Sequence, residues 1–145
     1  MTLAGAAVLG TIVGIAPWRA ATAKTAVYAE RIEGCRAIDG DTLDCRGERI
    51  RLLAIDAPEL PGHCRSGRRC VAGDPAASTS SLSEALDGQL TIDRVGEDRY
   101  GRTLARVAGR KGDLSCWQIK SEHAVYKAEW DNGLRVARSC PSEVW

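Results

Sequence analysis

Residues 49 to 55, RIRLLAI, constrain the fold more than any other stretch of the chain. Apart from Arg49 and Arg51 the run is continuously apolar, so a strand made of it has to be covered on both faces, as in a barrel with helices packed outside. Arg51 falls inside the run, on the face shared by Leu53 and Ile55. A guanidinium there is costly to bury unless an anion meets it, and a salt bridge to a nearby carboxylate is the plainest way to do so.

The flanking segments supply partners for that strand. Residues 31 to 38 and 42 to 46 read as two strands joined by Asp39-Gly40-Asp41, turn chemistry that suits positive φ. Ala57-Pro58 ends the third strand, and the Gly- and Pro-punctuated stretch from Leu60 to Pro75 is loop. Ser78 to Leu86 is a helix with Leu82, Ala85 and Leu86 on one side and Gly88 as its stop. Residues 89 to 95 and 103 to 108 alternate apolar and outward polar positions and form a second hairpin across EDRYG. Asp113 can cap a helix through Leu114, Trp117 and Ile119 that ends near His123, and the tail beyond Ala124 is ambiguous. The count matches a mainly β, α+β fold: a five-stranded Greek-key barrel of OB type with two or three short helices. Such a fold does not fix a function.

Positions 3 to 17 carry no charge and are followed by Ala21-Thr22-Ala23, a small-x-small pattern that suits cleavage after Ala23. We expect residues 1 to 23 to be a signal peptide, or a retained anchor since a basic start is missing, and residues 24 to 145 to form one domain. The apolar run is shorter than the roughly 20 residues a membrane span needs. Six cysteines in a small exported domain fit three disulfides and a secreted or periplasmic address. In a hairpin turning at Gly40, Cys35 and Cys45 lie opposite each other. Cys64 and Cys70 would close a short Arg-rich loop, leaving Cys116 with Cys140. A zinc site using His63, Cys64 and Cys70 is the competing reading, although its spacing matches no closed four-ligand pattern.

Only Arg19 among the 20 basic residues lies in positions 1 to 23, so the remainder balances 19 basic against 19 acidic groups. A protein that merely coats nucleic acid is distinctly basic, so phosphate binding has to come from local clusters. Arg65, Arg68 and Arg69 form one, and Arg99 and Arg102 another. Asp41 and Asp56 each fall at a strand end, where an antiparallel sheet could bring both to one rim. Two close carboxylates share a proton or hold a cation, and a hard oxygen set suits Ca²⁺. Glu59, kept on a loop by Pro58, would stand beside them as a possible base. Arg51 with Arg102 could form two planar donor forks around one phosphate. Taken singly, each of these residues has an ordinary structural explanation; the combination is what points to chemistry.

The strings IDGDTLD (38 to 44), RIRLLAIDAPEL (49 to 60) and DRYGRTLARV (98 to 107) resemble the staphylococcal nuclease (thermonuclease) family in order and spacing, over roughly residues 30 to 130. The resemblance implies that Asp41, Asp56 and the backbone carbonyl of Ala57 hold calcium. It also implies that Glu59 activates the attacking water, and that Arg51 and Arg102 bind the scissile phosphate of DNA or RNA. Products would be 3′-phosphorylated. Thr42, Arg99 and Tyr100 would take weaker substrate contacts, and Tyr126 or Trp130 could stack on bases. The loop HCRSGRRC departs from the lysine-rich stretch of the best-known members. We expect a monomer with no stable protein partner and no membrane association after cleavage. The rival reading is a non-catalytic OB module that binds nucleic acid or another anionic ligand.

Overall fold

The computed structural model describes residues 30 to 145; the expected export segment lies outside the described residues. Strands β1 (Glu30–Ile32) and β2 (Cys35–Ala37) are two arms of one bent strand, broken at Gly34, whose φ of 65° suits a residue without Cβ. They are followed by β3 (Thr42–Cys45), β4 (Glu48–Leu52) and β5 (Ile55–Asp56), helix α1 (Pro75–Ala85), then β6 (Leu90–Glu97), β7 (Thr103–Gly109) and β8 (Gly112–Asp113). Helix α2 (Leu114–Lys120), β9 (Val125–Tyr126), a 3-10 turn (Ala128–Trp130), α3 (Arg135–Ser139) and α4 (Pro141–Val144) complete the described chain.

The main sheet runs β1-β6-β7-β4-β3-β2, with β8 on β7. All its pairings are antiparallel except β4 with β7, which is parallel. Because the path begins on one arm of the bent strand and ends on the other, its strand order is that of a five-stranded OB-like barrel. The α+β expectation holds. The helices are more numerous than the two or three expected, because the ambiguous tail supplies α3 and α4.

The apolar run behaves as its composition demands. Ile50, Leu52, Leu53, Ala54 and Ile55 are all buried, with Leu52 and Ile55 packed inside the barrel beside Leu43, Ile92 and Val107. Leu53 and Ala54 instead face a second cluster formed with Val136 and Cys140 of the tail. Each fully buried Leu or Ile contributes about 1.5–3 kcal/mol. The run is not one strand, however. Ala54 takes a φ of 63°, which turns the chain between β4 and β5 and frees β5 to pair with β9.

Other local expectations shift for identifiable reasons. Helix α1 starts at Pro75 rather than Ser78, because Asp74 accepts hydrogen bonds from the N–H groups of Ala76 and Ala77 and Pro suits the first turn. Asp113 caps α2 as expected, through Ser115 and Cys116 N–H, but the helix stops at Lys120, short of His123. In β7 the polar position Arg106 is not outward. It is buried beneath α3, with Asp93 at 2.8 Å and the Ser139 hydroxyl at 3.0 Å.

The three disulfides are Cys35–Cys45, Cys64–Cys70 and Cys116–Cys140. Cys35 and Cys45 are direct cross-strand partners, as the hairpin count requires. With Cys64 and Cys70 joined to each other, the zinc reading fails, since a disulfide sulfur is not a thiolate ligand. Among the described residues no helix is long and apolar enough to cross a membrane. Disulfides of this number are sustained in oxidising compartments.

Candidate functional site

The site grows from the Asp39-Gly40-Asp41 turn. Gly40 is not at positive φ; the turn requires glycine for space. A Cβ there would sit 1.9 Å from the Ser78 Oγ and 2.7 Å from the Ala57 Cβ. The close approach lets the Gln118 side chain of α2 donate from Nε2 to the Gly40 carbonyl at 2.7 Å and to the Ser78 carbonyl at 3.0 Å. Ser78 in turn donates to the His123 carbonyl at 2.7 Å. Helices α1 and α2 thereby hold the turn that carries Asp41. Neither Gln118 nor Ser78 stood out in the sequence. The available signal was a polar residue four positions after the buried Leu114, on the helix face that points to the core.

Asp41 and Asp56 are both buried and both meet the Arg51 guanidinium, whose Nη2 lies 3.0 Å from Asp41 Oδ2 and 3.8 Å from Asp56 Oδ1. The two carboxylates, 15 residues apart in sequence, are therefore gathered at one point. Arg51 also donates to the Ile55 carbonyl at 2.9 Å and, at 3.3 Å, to the carbonyls of Asp41 and Leu52. It pins the turn between β4 and β5 as well as meeting the anions, a structural duty that the strand pattern did not reveal.

Asp41 accepts the Ala57 N–H at 2.8 Å, which holds the Ala57 backbone against the Asp41 carboxylate. Thr42 is fully buried and donates to Asp41 Oδ1 at 3.1 Å, so its hydroxyl faces the carboxylate. Burial pushes the Asp41 carboxyl up to about 7; Arg51 opposes that, Asp39 adds to it, and the Ala57 N–H opposes it. A buried carboxylate in that condition is short of positive charge, and a cation beside it would hold it ionised.

Glu59 follows Pro58 on the loop, and its Oε1 lies 2.8 Å from the Nη1 of Arg68, while Arg68 Nη2 lies 2.7 Å from Asp56 Oδ1. One guanidinium thus bridges the two carboxylates. The other end of the Cys64–Cys70 loop reaches a different element: Arg65 donates to the Tyr100 hydroxyl and lies over its ring, 4.8 Å from the centroid. Arg99 and Arg102 approach the same ring at 4.9 and 5.6 Å. Arg65 first, opposed by burial, and then Arg99 bring the Tyr100 hydroxyl below its ordinary range.

Arg102 precedes β7, which runs beside β4 with Thr103 opposite Ile50. Its guanidinium pairs with Asp98 at 2.7 Å within the turn. The loop spans from the Asp56–Glu59 side to the Tyr100 turn, so both stand at one rim of the barrel. Trp130 is 41% exposed, with Arg51 5.8 Å from its ring. Tyr126 differs from it: its hydroxyl donates to buried Asp131 at 2.7 Å and its ring packs in the second cluster. Burial and then Asp131 push that hydroxyl up to about 12.

Among the described residues no group of three or more His, Cys, Asp and Glu side chains is arranged to hold a metal. The hard oxygen donors that the site brings together are the two converging carboxylates of Asp41 and Asp56.

No family model matches the chain. Succinoglycan biosynthesis protein ExoI of Rhizobium meliloti (strain 1021) is 36% identical over 132 residues, covering 81% of this chain and 66% of that protein. Thermonuclease of Staphylococcus intermedius is 37% identical over 79 residues, covering 50% of this chain and 45% of that protein. The chain therefore spans about two thirds of the first relative's length and under half of the second's. The likeness to a thermonuclease supports a nuclease-like family.

Proposed function

We propose that the protein is a secreted, calcium-dependent nuclease that hydrolyses phosphodiester bonds of DNA or RNA and leaves 3′-phosphorylated products. The observation that carries the reading is the convergence of Asp41 and Asp56 on Arg51, with Glu59 alongside. Asp41, Asp56 and the Ala57 carbonyl would hold the ion. Bound there, a divalent cation supplies positive charge to the phosphate oxygens as the transition state forms.

The chain's own groups supply the rest. Arg51 and Arg102, now paired with Asp41 and Asp98, would turn their planar forks, as the phosphate binds, to the oxygens where negative charge grows during in-line attack. Glu59 orients a water and takes its proton while the water oxygen bonds to phosphorus. The bond to the 5′ oxygen breaks and that oxygen takes up a proton, leaving phosphate on the 3′ side. Trp130, exposed beside Arg51, would offer a ring face to bases, whereas Tyr100 would act through the guanidinia of Arg65, Arg99 and Arg102 that already meet its ring. The three disulfides support an extracellular or periplasmic setting.

The test is digestion of plasmid DNA and of RNA by the purified protein, with calcium and with a chelator. Chelation is expected to abolish cleavage, and Glu59→Gln and Arg51→Lys to slow it about 100-fold or more with circular dichroism unchanged. Glu59→Gln is the cleaner variant, because Arg51 also holds three backbone carbonyls. Cleavage that survives chelation, or that Arg51→Lys leaves intact, would overturn the reading.

A further inference from the structure

We infer that Arg68 is an internal cation that competes with the divalent ion for Asp56 and Glu59, and so sets the metal affinity of the site; this rests on the metal-dependent reading above. The geometry is specific. Arg68 splits its two terminal nitrogens between the carboxylate assigned to the ion and the carboxylate assigned to the water, at 2.7 and 2.8 Å. Arg51 stands back from Asp56 Oδ1 at 3.8 Å, whereas Arg68 lies directly on that oxygen at 2.7 Å, so an ion that takes the same oxygen meets Arg68 first and has to displace it.

Withdrawal has somewhere to go, since the Arg68 side chain is 35% exposed whereas that of Asp56 is 4% exposed. The partner is buried and fixed, and the arginine is at the surface on a loop without regular structure. The Cys64–Cys70 bond limits how far the loop can carry it, which keeps the guanidinium at high local concentration. The apparent metal affinity then falls by the fraction of molecules in which Arg68 has swung out. Arg69, next along the loop, carries the same charge and makes no ion pair with either carboxylate, so it reports the effect of loop charge alone.

The experiment is calorimetric titration of Ca²⁺ alone, without nucleic acid, into wild-type protein, Arg68→Ala and Arg69→Ala. Circular dichroism confirms that each is folded. The expected result is binding about tenfold tighter in Arg68→Ala, with Arg69→Ala within about twofold of wild type. Equal tightening in both variants would mean general electrostatics and would overturn the competition, as would unchanged or weaker binding in Arg68→Ala. In each of those outcomes the metal-dependent reading survives. No binding to any of the three would overturn both.

Discussion

Asp131 offers the sharpest test of how the tail is held against the barrel. It is fully buried, and its carboxylate accepts the N–H groups of Val136 at 2.7 Å and Ala137 at 3.0 Å and the Tyr126 hydroxyl at 2.7 Å. These bonds join the first turn of α3 to β9, the strand that pairs with β5 next to Asp56. Asp131→Ala removes both acceptor oxygens and with them all three hydrogen bonds. A buried donor without a partner costs about 1–3 kcal/mol, and shared relaxation reduces the sum, so the loss should be about 3–5 kcal/mol. Tyr126→Phe alone deletes one bond and should cost about 1 kcal/mol. The double variant should cost no more than Asp131→Ala, because the hydroxyl orphaned by the first change is gone. Urea unfolding of the four proteins, followed by tryptophan fluorescence, measures the cycle. A loss below about 1 kcal/mol in Asp131→Ala, or simple additivity in the double variant, would refute the assignment of Asp131 as the tail's anchor.

Gly40→Ala should destabilise the protein by about 1–3 kcal/mol, because the new methyl meets the short, buried Ser78 side chain and the Ala57 Cβ rather than a flexible chain end; a urea midpoint equal to wild type would refute the spatial role given to this glycine. The hydrogen bond from Arg94 lowers the Glu48 carboxyl, burial opposes, and Thr103 and the Arg94 charge assist. A depressed carboxylate contributes stability that is present above its unfolded pKa and lost as pH falls through its lower folded value. Glu48→Gln should therefore lower the melting temperature near pH 6, and the difference should shrink as pH falls and the carboxyl of the folded protein protonates. A difference that persists in acid would contradict the ion pair as its source.

Much of the frame was legible in the chain because it depends on neighbours in sequence. Cys35 and Cys45 face each other because a tight turn and a two-residue side-chain period leave no other register, and Asp113 caps α2 because its carboxylate reaches the N–H groups of Ser115 and Cys116. The apolar content of residues 50 to 55 required cover on both sides wherever the strand lay. What the sequence could not convey was where long side chains end up once loops pack. Arg68 reaches Asp56 and Glu59 across an aperiodic loop, Arg106 is covered by a helix 29 residues further on, and Gly40 is needed for a serine in α1 rather than for its own φ. Local rules govern turns, caps and strand faces, since those energies are spent within a few residues. The meeting of Arg51 with its two carboxylates, and the intrusion of Arg68 beside it, depend on packing between distant segments that no local pattern encodes.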